Sequence, residues 1–370
     1  MSKKTIFNIH NLVEIEINHK IENKMFARSL NYLKKDFNVF IRKNKLKTKI
    51  KIKVFYGEFE YSKNSILISN YFKYVPEKSF FRKRGNSKYL IEIKDKNFRE
   101  IKIYANNYPF EKLVWVMVFV SLIKNGYLLS HSAAIDYKDK GILIPATGGT
   151  GKTATILLLL KNDKDVKFVS DDWIIISKNR DIFSIPKPLN LYDYHFKLID
   201  QKIKKNEIKN LSNLPKFLLI KSFQILSLVF SKYDLGYYPE FDFPQNVRTI
   251  DSIFPNRQKR TKTKLSHIFY FYKSFESKNV KLSTSKFSTL FSNMVHREIK
   301  NSIFPDIDIL LYCFNLNFGN LISEFILKNF GKVEKNLIFI DSNKYLTELE
   351  KNAKLILERI KRKKLNPEGE

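Results

Sequence analysis

The segment Gly141-Ile-Leu-Ile-Pro-Ala-Thr-Gly-Gly-Thr-Gly-Lys-Thr153 has the residue types and spacing to hold a nucleoside triphosphate. Phosphate oxygens need several backbone N–H groups converging on them. That requires glycine wherever a Cβ would block the approach or φ must be positive. Gly148, Gly149 and Gly151 supply those positions, and Thr147 and Thr150 complete the loop. Lys152 has the reach to meet the β- and γ-phosphates of ATP, and Thr153 offers its hydroxyl to Mg²⁺. A helix beginning here presents its positive end to the anion. One position departs from G-x-x-x-x-G-K-[ST]: Ala146 stands where the first glycine belongs. The bland alternative, a glycine-rich turn with an incidental lysine, leaves unexplained why an apolar run precedes the loop and another follows it.

Two further features carry chemistry. Asp171 and Asp172 follow a short apolar run, 19 residues beyond Lys152. Adjacent carboxylates at a strand end can divide the work: one holds Mg²⁺ through water, the other takes the proton of an attacking hydroxyl. Alone, such a pair is more often a turn or a helix cap; its place after the phosphate loop favours function. His131, in Leu129-Ser-His-Ser-Ala-Ala-Ile135, precedes Lys152 by 21 residues. A lone histidine in an apolar stretch is usually core. This one is expected at the end of a strand that pairs with the strand feeding the loop, close enough to donate to developing charge.

The elements that must position these residues read as an α/β pattern. Apolar runs predict strands at 127–135 and 141–145, hinged at 136–140. An apolar helix to residue 160 and a strand at 166–169 follow. Before them, 13–17, 50–56, 65–68, 89–93 and 100–104 read as strands, with a helix within 22–40 and a largely buried helix at 111–124. Residues 1–108 therefore form a β-rich N-terminal domain, and 109–370 a P-loop domain. The texture changes at about 200–262, where 214–231 looks helical, and this stretch reads as an insertion or lid. Strands are expected again at 267–272, 307–314 and 336–340, with helices at 321–329 and 346–363.

A formal net charge of +30 suggests a nucleic-acid or membrane-surface partner at first. The excess is mostly lysine, scattered beside Asn, Ile, Phe and Tyr, without the Arg-rich, aromatic-interleaved texture of a strand-tracking groove. Specific nucleic-acid binding is therefore not expected, and weak salt-sensitive attraction to polyanions is. The single cysteine, Cys313, excludes an internal disulfide and reads as a buried structural thiol. No apolar stretch approaches the roughly 20 residues needed to span a bilayer, and a cytoplasmic protein is expected.

His131, the loop and the early Asp171-Asp172 pair together resemble HPr kinase/phosphorylase and its wider family of kinase-like proteins, which share a nucleotide core with phosphoenolpyruvate carboxykinase. The likeness covers about 126–193, including Ile185-Pro-Lys-Pro-Leu-Asn-Leu-Tyr192, and extends loosely over 265–330. It implies that Lys152 and Thr153 bind phosphate and metal, that Asp171 is the base activating an acceptor hydroxyl, and that Asp172 is the Mg²⁺-linked carboxylate. His131 would assist near the transferred group. The E-x-R-G stretch of true HPr kinases is missing, which points to a divergent relative acting on another hydroxyl, in a peptide, protein or metabolite. The family's members assemble as oligomers, and an oligomer is possible here. The competing reading is a nucleotide-gated binding or regulatory module with weak ATPase activity, since it needs the same phosphate cradle. A nucleic-acid-linked NTPase rests on charge alone.

Overall fold

The computed structural model describes residues 3–19, 22–42, 47–61, 65–69, 71–185, 187–199 and 246–361 of the 370-residue chain. It is a mixed α/β protein. Residues up to Leu189 and from Thr249 onward make one compact unit, and Asn190–Arg248 make a second.

In the first unit, the N-terminal sheet has nine strands: β1 (Lys3–Ile9), β2 (Val13–His19), β3 (Ile41–Arg42), β4 (Ile50–Tyr56), β5 (Ile66–Ser69), β6 (Phe72–Val75), β7 (Ser79–Arg84), β8 (Ser87–Ile93) and β9 (Glu100–Asn106). Their order is β3-β1-β2-β4-β9-β8-β7-β6-β5. Among the described residues of this sheet, only the β2–β4 and β4–β9 pairs are parallel. The crossover from β2 carries the helix Lys24–Phe37, whose Asn23 side chain accepts from the Phe26 N–H and so caps its start.

Helix Phe110–Lys124 is apolar on every side, which suits a helix enclosed in the core. It contacts β4 and β9 of the first sheet and β10 of the second. One continuous apolar core therefore runs from Phe7 through Val114 and Trp115 to Leu337.

The second sheet holds β10 (Tyr127–Tyr137), β11 (Lys140–Pro145), β12 (Val166–Ser170), β13 (Trp173–Ser177), β14 (Asp181–Ser184) and three later strands. β10 and β11 form a hairpin whose turn residues Lys138 and Asp139 take positive φ, as a two-residue hairpin turn requires. After the pair β15 (Leu189–Leu191) and β16 (Asn246–Arg248) come β17 (Lys262–Ser274), β18 (Lys278–Lys281) and β19 (Glu334–Asp341). The order is β11-β10-β13-β14-β17-β19-β18, and β11 also pairs with β17. The pairing thus closes on itself through β11, β10, β13, β14 and β17.

Several expectations change. The apolar run 307–314 is a helix, Ile307–Cys313, and not a strand. Ile307, Leu310, Leu311 and Cys313 are its buried residues, with Phe314 buried just past its end, while Asp308 and Tyr312 are exposed, the spacing of one helical face. The strand expected from 267 starts five residues earlier, at Lys262. The helix expected at 214–231 lies outside the described residues, as do 200–245 of the expected insertion. Among the described residues, no single helix is long and apolar enough to cross a membrane. Cys313 is buried, and burial pushes its thiol up to about 11, as suits a structural role.

Candidate functional site

The loop between β11 and helix Lys152–Asn162 is shaped by glycine at two of the three expected positions. Gly149 and Gly151 take φ of +69° and +101°. A methyl on Gly151 would stand 2.5 Å from Leu349 Cδ2 and 3.0 Å from the Tyr345 hydroxyl, so both conformation and space demand glycine there. The hydroxyls of Thr147 and Thr150 meet at 3.0 Å and tie the loop across its base. Lys152 is buried, and its ammonium donates to the carbonyls of Ala146 at 2.8 Å and Thr147 at 3.4 Å. Burial lowers its pKa, against the raising effect of Asp172, Asp171 and Glu298.

β12 and β13 both lie antiparallel beside β10, and Asp171 and Asp172 form the corner between them. The corner is held by two backbone bonds: Ser132 N–H donates to the Asp172 carbonyl and Trp173 N–H to the Asp171 carbonyl, each at 3.0 Å. Asp172 takes φ +76°, a conformation that aspartate tolerates better than most residues. This corner sends the two carboxylates to different partners.

Asp171 turns to the phosphate loop. The Thr153 hydroxyl donates to its Oδ2 at 2.7 Å, while its buried Oδ1 has no hydrogen-bond partner. Burial, and then the charge of Asp172, raise its pKa. Asp172 turns to two cations or would-be cations: His131 Nε2 at 2.9 Å from Oδ1 and Lys187 Nζ at 3.3 Å from Oδ2. Burial opposes its charge, but Lys187 and His131 outweigh it and hold its carboxyl well below the usual range. An ionised carboxylate can only accept, so His131 carries its proton on Nε2. The His131 ring lies 5.0 Å from that of Trp173. Its Nδ1 has no hydrogen-bond partner and faces Glu298 Oε2 at 3.8 Å.

The structure thus brings His131, Lys152, Thr153, Asp171 and Asp172 together. His131 sits mid-strand in β10, not at its end, and β10 pairs with the loop-feeding β11. Thr153 is joined to Asp171, whereas the resemblance had linked metal to Thr153 and Asp172. Three residues enter that sequence reading did not single out. Lys187 lies between Asp172 and Asp36, with its ammonium 5.7 Å from the Trp115 ring centre. Burial disfavours its charge, and Asp172 and Asp36 raise its pKa nonetheless. Asp36, on the N-terminal helix, also accepts from Trp115 Nε1 at 3.0 Å. Glu298, at the end of helix Thr284–Glu298, accepts from the Gly148 N–H at 3.1 Å. Lys187 had a signal, since it stands between two prolines inside the stretch quoted for the resemblance. Glu298 had none.

A phosphate ligand fits this loop on three observations: the left-handed glycines, the partnerless Asp171 Oδ1, and a Gly148 N–H that already binds an anionic oxygen. No three His, Cys, Asp or Glu side chains among the described residues converge as a metal site by themselves. A Mg²⁺ ion would take Thr153, Asp171 and the oxygens of its own nucleotide. No family model matches the chain, and no curated protein matches it.

Proposed function

We propose that this chain is an ATP- and Mg²⁺-dependent kinase that transfers the γ-phosphoryl group to a hydroxyl of a peptide, protein or small metabolite. The observation that carries the reading is the 2.7 Å hydrogen bond from Thr153 to Asp171. It joins the phosphate loop to the carboxylate corner, and thereby to the Asp172–His131 pair next to it.

Bound there, MgATP supplies the phosphoryl group and the cation that offsets its charge. The chain's own residues do the rest. The loop amides and the end of helix Lys152–Asn162 hold phosphate, and Lys152 swings from the Ala146 carbonyl to add its charge. Thr153 and Asp171 hold the cation. Asp172 fixes the His131 ring with the proton on Nε2, which leaves Nδ1 to accept the proton of the acceptor hydroxyl. Relative to the family resemblance, the metal moves from Asp172 to Asp171, and the base role passes from Asp171 to His131, with Asp172 orienting its ring. Phosphoryl transfer depends mainly on positioning and electrostatics, for which this set of groups suffices.

The test is transfer of label from γ-labelled ATP with Mg²⁺ to a desalted lysate and a separate metabolite pool. Lys152→Ala, Asp171→Asn and His131→Asn proteins run in parallel. Label in a discrete acceptor, lost in all three variants, is the expected result. Nucleotide binding abolished by Lys152→Ala, with no acceptor labelled from either pool, favours the nucleotide-gated module. No nucleotide binding by the unaltered protein overturns both readings.

A further inference from the structure

Glu298 is in an unfavourable place for a carboxylate. It is the last residue of helix Thr284–Glu298, and its side chain is only 14% exposed, so the carboxylate is largely withdrawn from water. The chain then widens into a π-helical turn, Ile299–Ile303, a feature that often marks functional sites. Two groups compensate the charge: the Gly148 N–H donates to Oε1 at 3.1 Å, and the carboxylate also acts on the charge of Lys152. The unprotonated His131 Nδ1 lies 3.8 Å from Oε2. A loop amide and the loop lysine are groups that a phosphate would claim.

The position along the loop narrows which phosphate. Amides at the start of helix Lys152–Asn162 serve the inner phosphates of a nucleotide. Gly148 lies four residues earlier, and through Glu298 it neighbours His131 and Asp172. That is the end of the cradle where the transferable group must sit if His131 is to serve the acceptor.

We infer that Glu298 is a specificity-determining residue whose carboxylate competes with a terminal phosphate for the Gly148 amide. The inference rests on the nucleotide reading above. A nucleoside diphosphate ends short of Gly148 and leaves Glu298 in place. A triphosphate displaces it, and the same displacement removes the carboxylate facing His131 Nδ1.

The experiment measures affinities of the full chain for ADP and for a β,γ-imido analogue of ATP, with Mg²⁺, by competition against a fluorescent nucleotide. Glu298→Gln and Glu298→Ala proteins are compared with the unaltered one. Loss of the competing carboxylate is expected to tighten the triphosphate analogue about tenfold, the size of one charge-assisted hydrogen bond, and to change ADP by less than about threefold. Hydrogen exchange of the unaltered protein provides a reading that needs no substitution: the analogue, and not ADP, increases exchange over residues 295–303. Equal changes for both nucleotides, or none, together with unaltered exchange, overturn the inference and leave the nucleotide reading standing. No binding of either nucleotide by any of the proteins overturns both.

Discussion

The Lys187 ammonium lies 3.3 Å from Asp172 Oδ2 and 3.4 Å from Asp36 Oδ1, so one lysine ties the carboxylate corner to a helix of the N-terminal sheet. All three side chains are partly or largely withdrawn from water, and each depends on the others for charge balance. Replacing Lys187 with Met leaves two carboxylates facing each other and is expected to cost about 3 kcal/mol. Asp36→Asn keeps the Lys187–Asp172 pair and an acceptor for Trp115 Nε1, and is expected to cost about 1 kcal/mol. Urea unfolding of the two proteins checks the ranking. Equal costs would show that Asp172 draws nothing from Lys187.

The Thr153–Asp171 bond predicts a metal-dependent defect. In Thr153→Val the hydroxyl is lost at nearly constant shape. Nucleotide affinity in Mg²⁺ is expected to fall about tenfold, with little change when the metal is chelated, because the lost oxygen serves the cation. Titration of nucleotide with and without Mg²⁺ separates the cases. An equal loss in both would place the hydroxyl on the nucleotide and not on the metal.

How far the sequence announces this site depends on how far apart its parts lie along the chain. The strand before the loop, the helix beginning at Lys152 and the Asp171-Asp172 pair are encoded within about 30 residues, and spacing and periodicity expose them. The strand Trp173–Ser177 obeys the same rule that finds Gly141–Pro145, five consecutive residues rich in Ile. Glu298 reaches Gly148 across 150 residues, and Asp36 reaches Lys187 across 151. Such contacts are made by sheet order and helix docking, which no local window contains. The division of labour between Asp171 and Asp172 is likewise hidden, because it follows from a left-handed backbone at Asp172 that aspartate permits without signalling. Ile307–Cys313 reads as a strand because a short apolar run fits both periods until its neighbours decide.

The glycines of the loop predict opposite responses to one methyl group. At Gly151 an added Cβ meets Leu349 Cδ2 at 2.5 Å and is held at φ +101°. Gly151→Ala is expected to cost about 2 kcal/mol, from conformational strain and displacement of Leu349 together. At Gly148 a Cβ would meet nothing within 4 Å, and φ is not positive. Gly148→Ala is expected to stay within about 0.5 kcal/mol of the unaltered protein. Thermal or urea unfolding distinguishes them, and comparable losses at both positions would contradict the loop conformation.

In the second unit, His195 makes local stability depend on pH. Its Nδ1 accepts from the Tyr192 N–H at 2.8 Å, and burial holds its pKa down to about 4. The folded histidine thus stays neutral where the unfolded one, at its ordinary 6.5, already binds a proton. Between pH 6.5 and 4 the unfolded state therefore holds more protons, and stability falls as pH falls. The full contribution is present above pH 6.5, and up to about 3 kcal/mol of it is lost by pH 4. Hydrogen exchange at the Tyr192 amide follows this locally, corrected for the intrinsic pH dependence of exchange. His195→Asn offers a carbonyl acceptor that does not titrate, so its protection is expected to stay nearly flat over the same range. Parallel losses in both proteins would assign the acid sensitivity to groups other than His195.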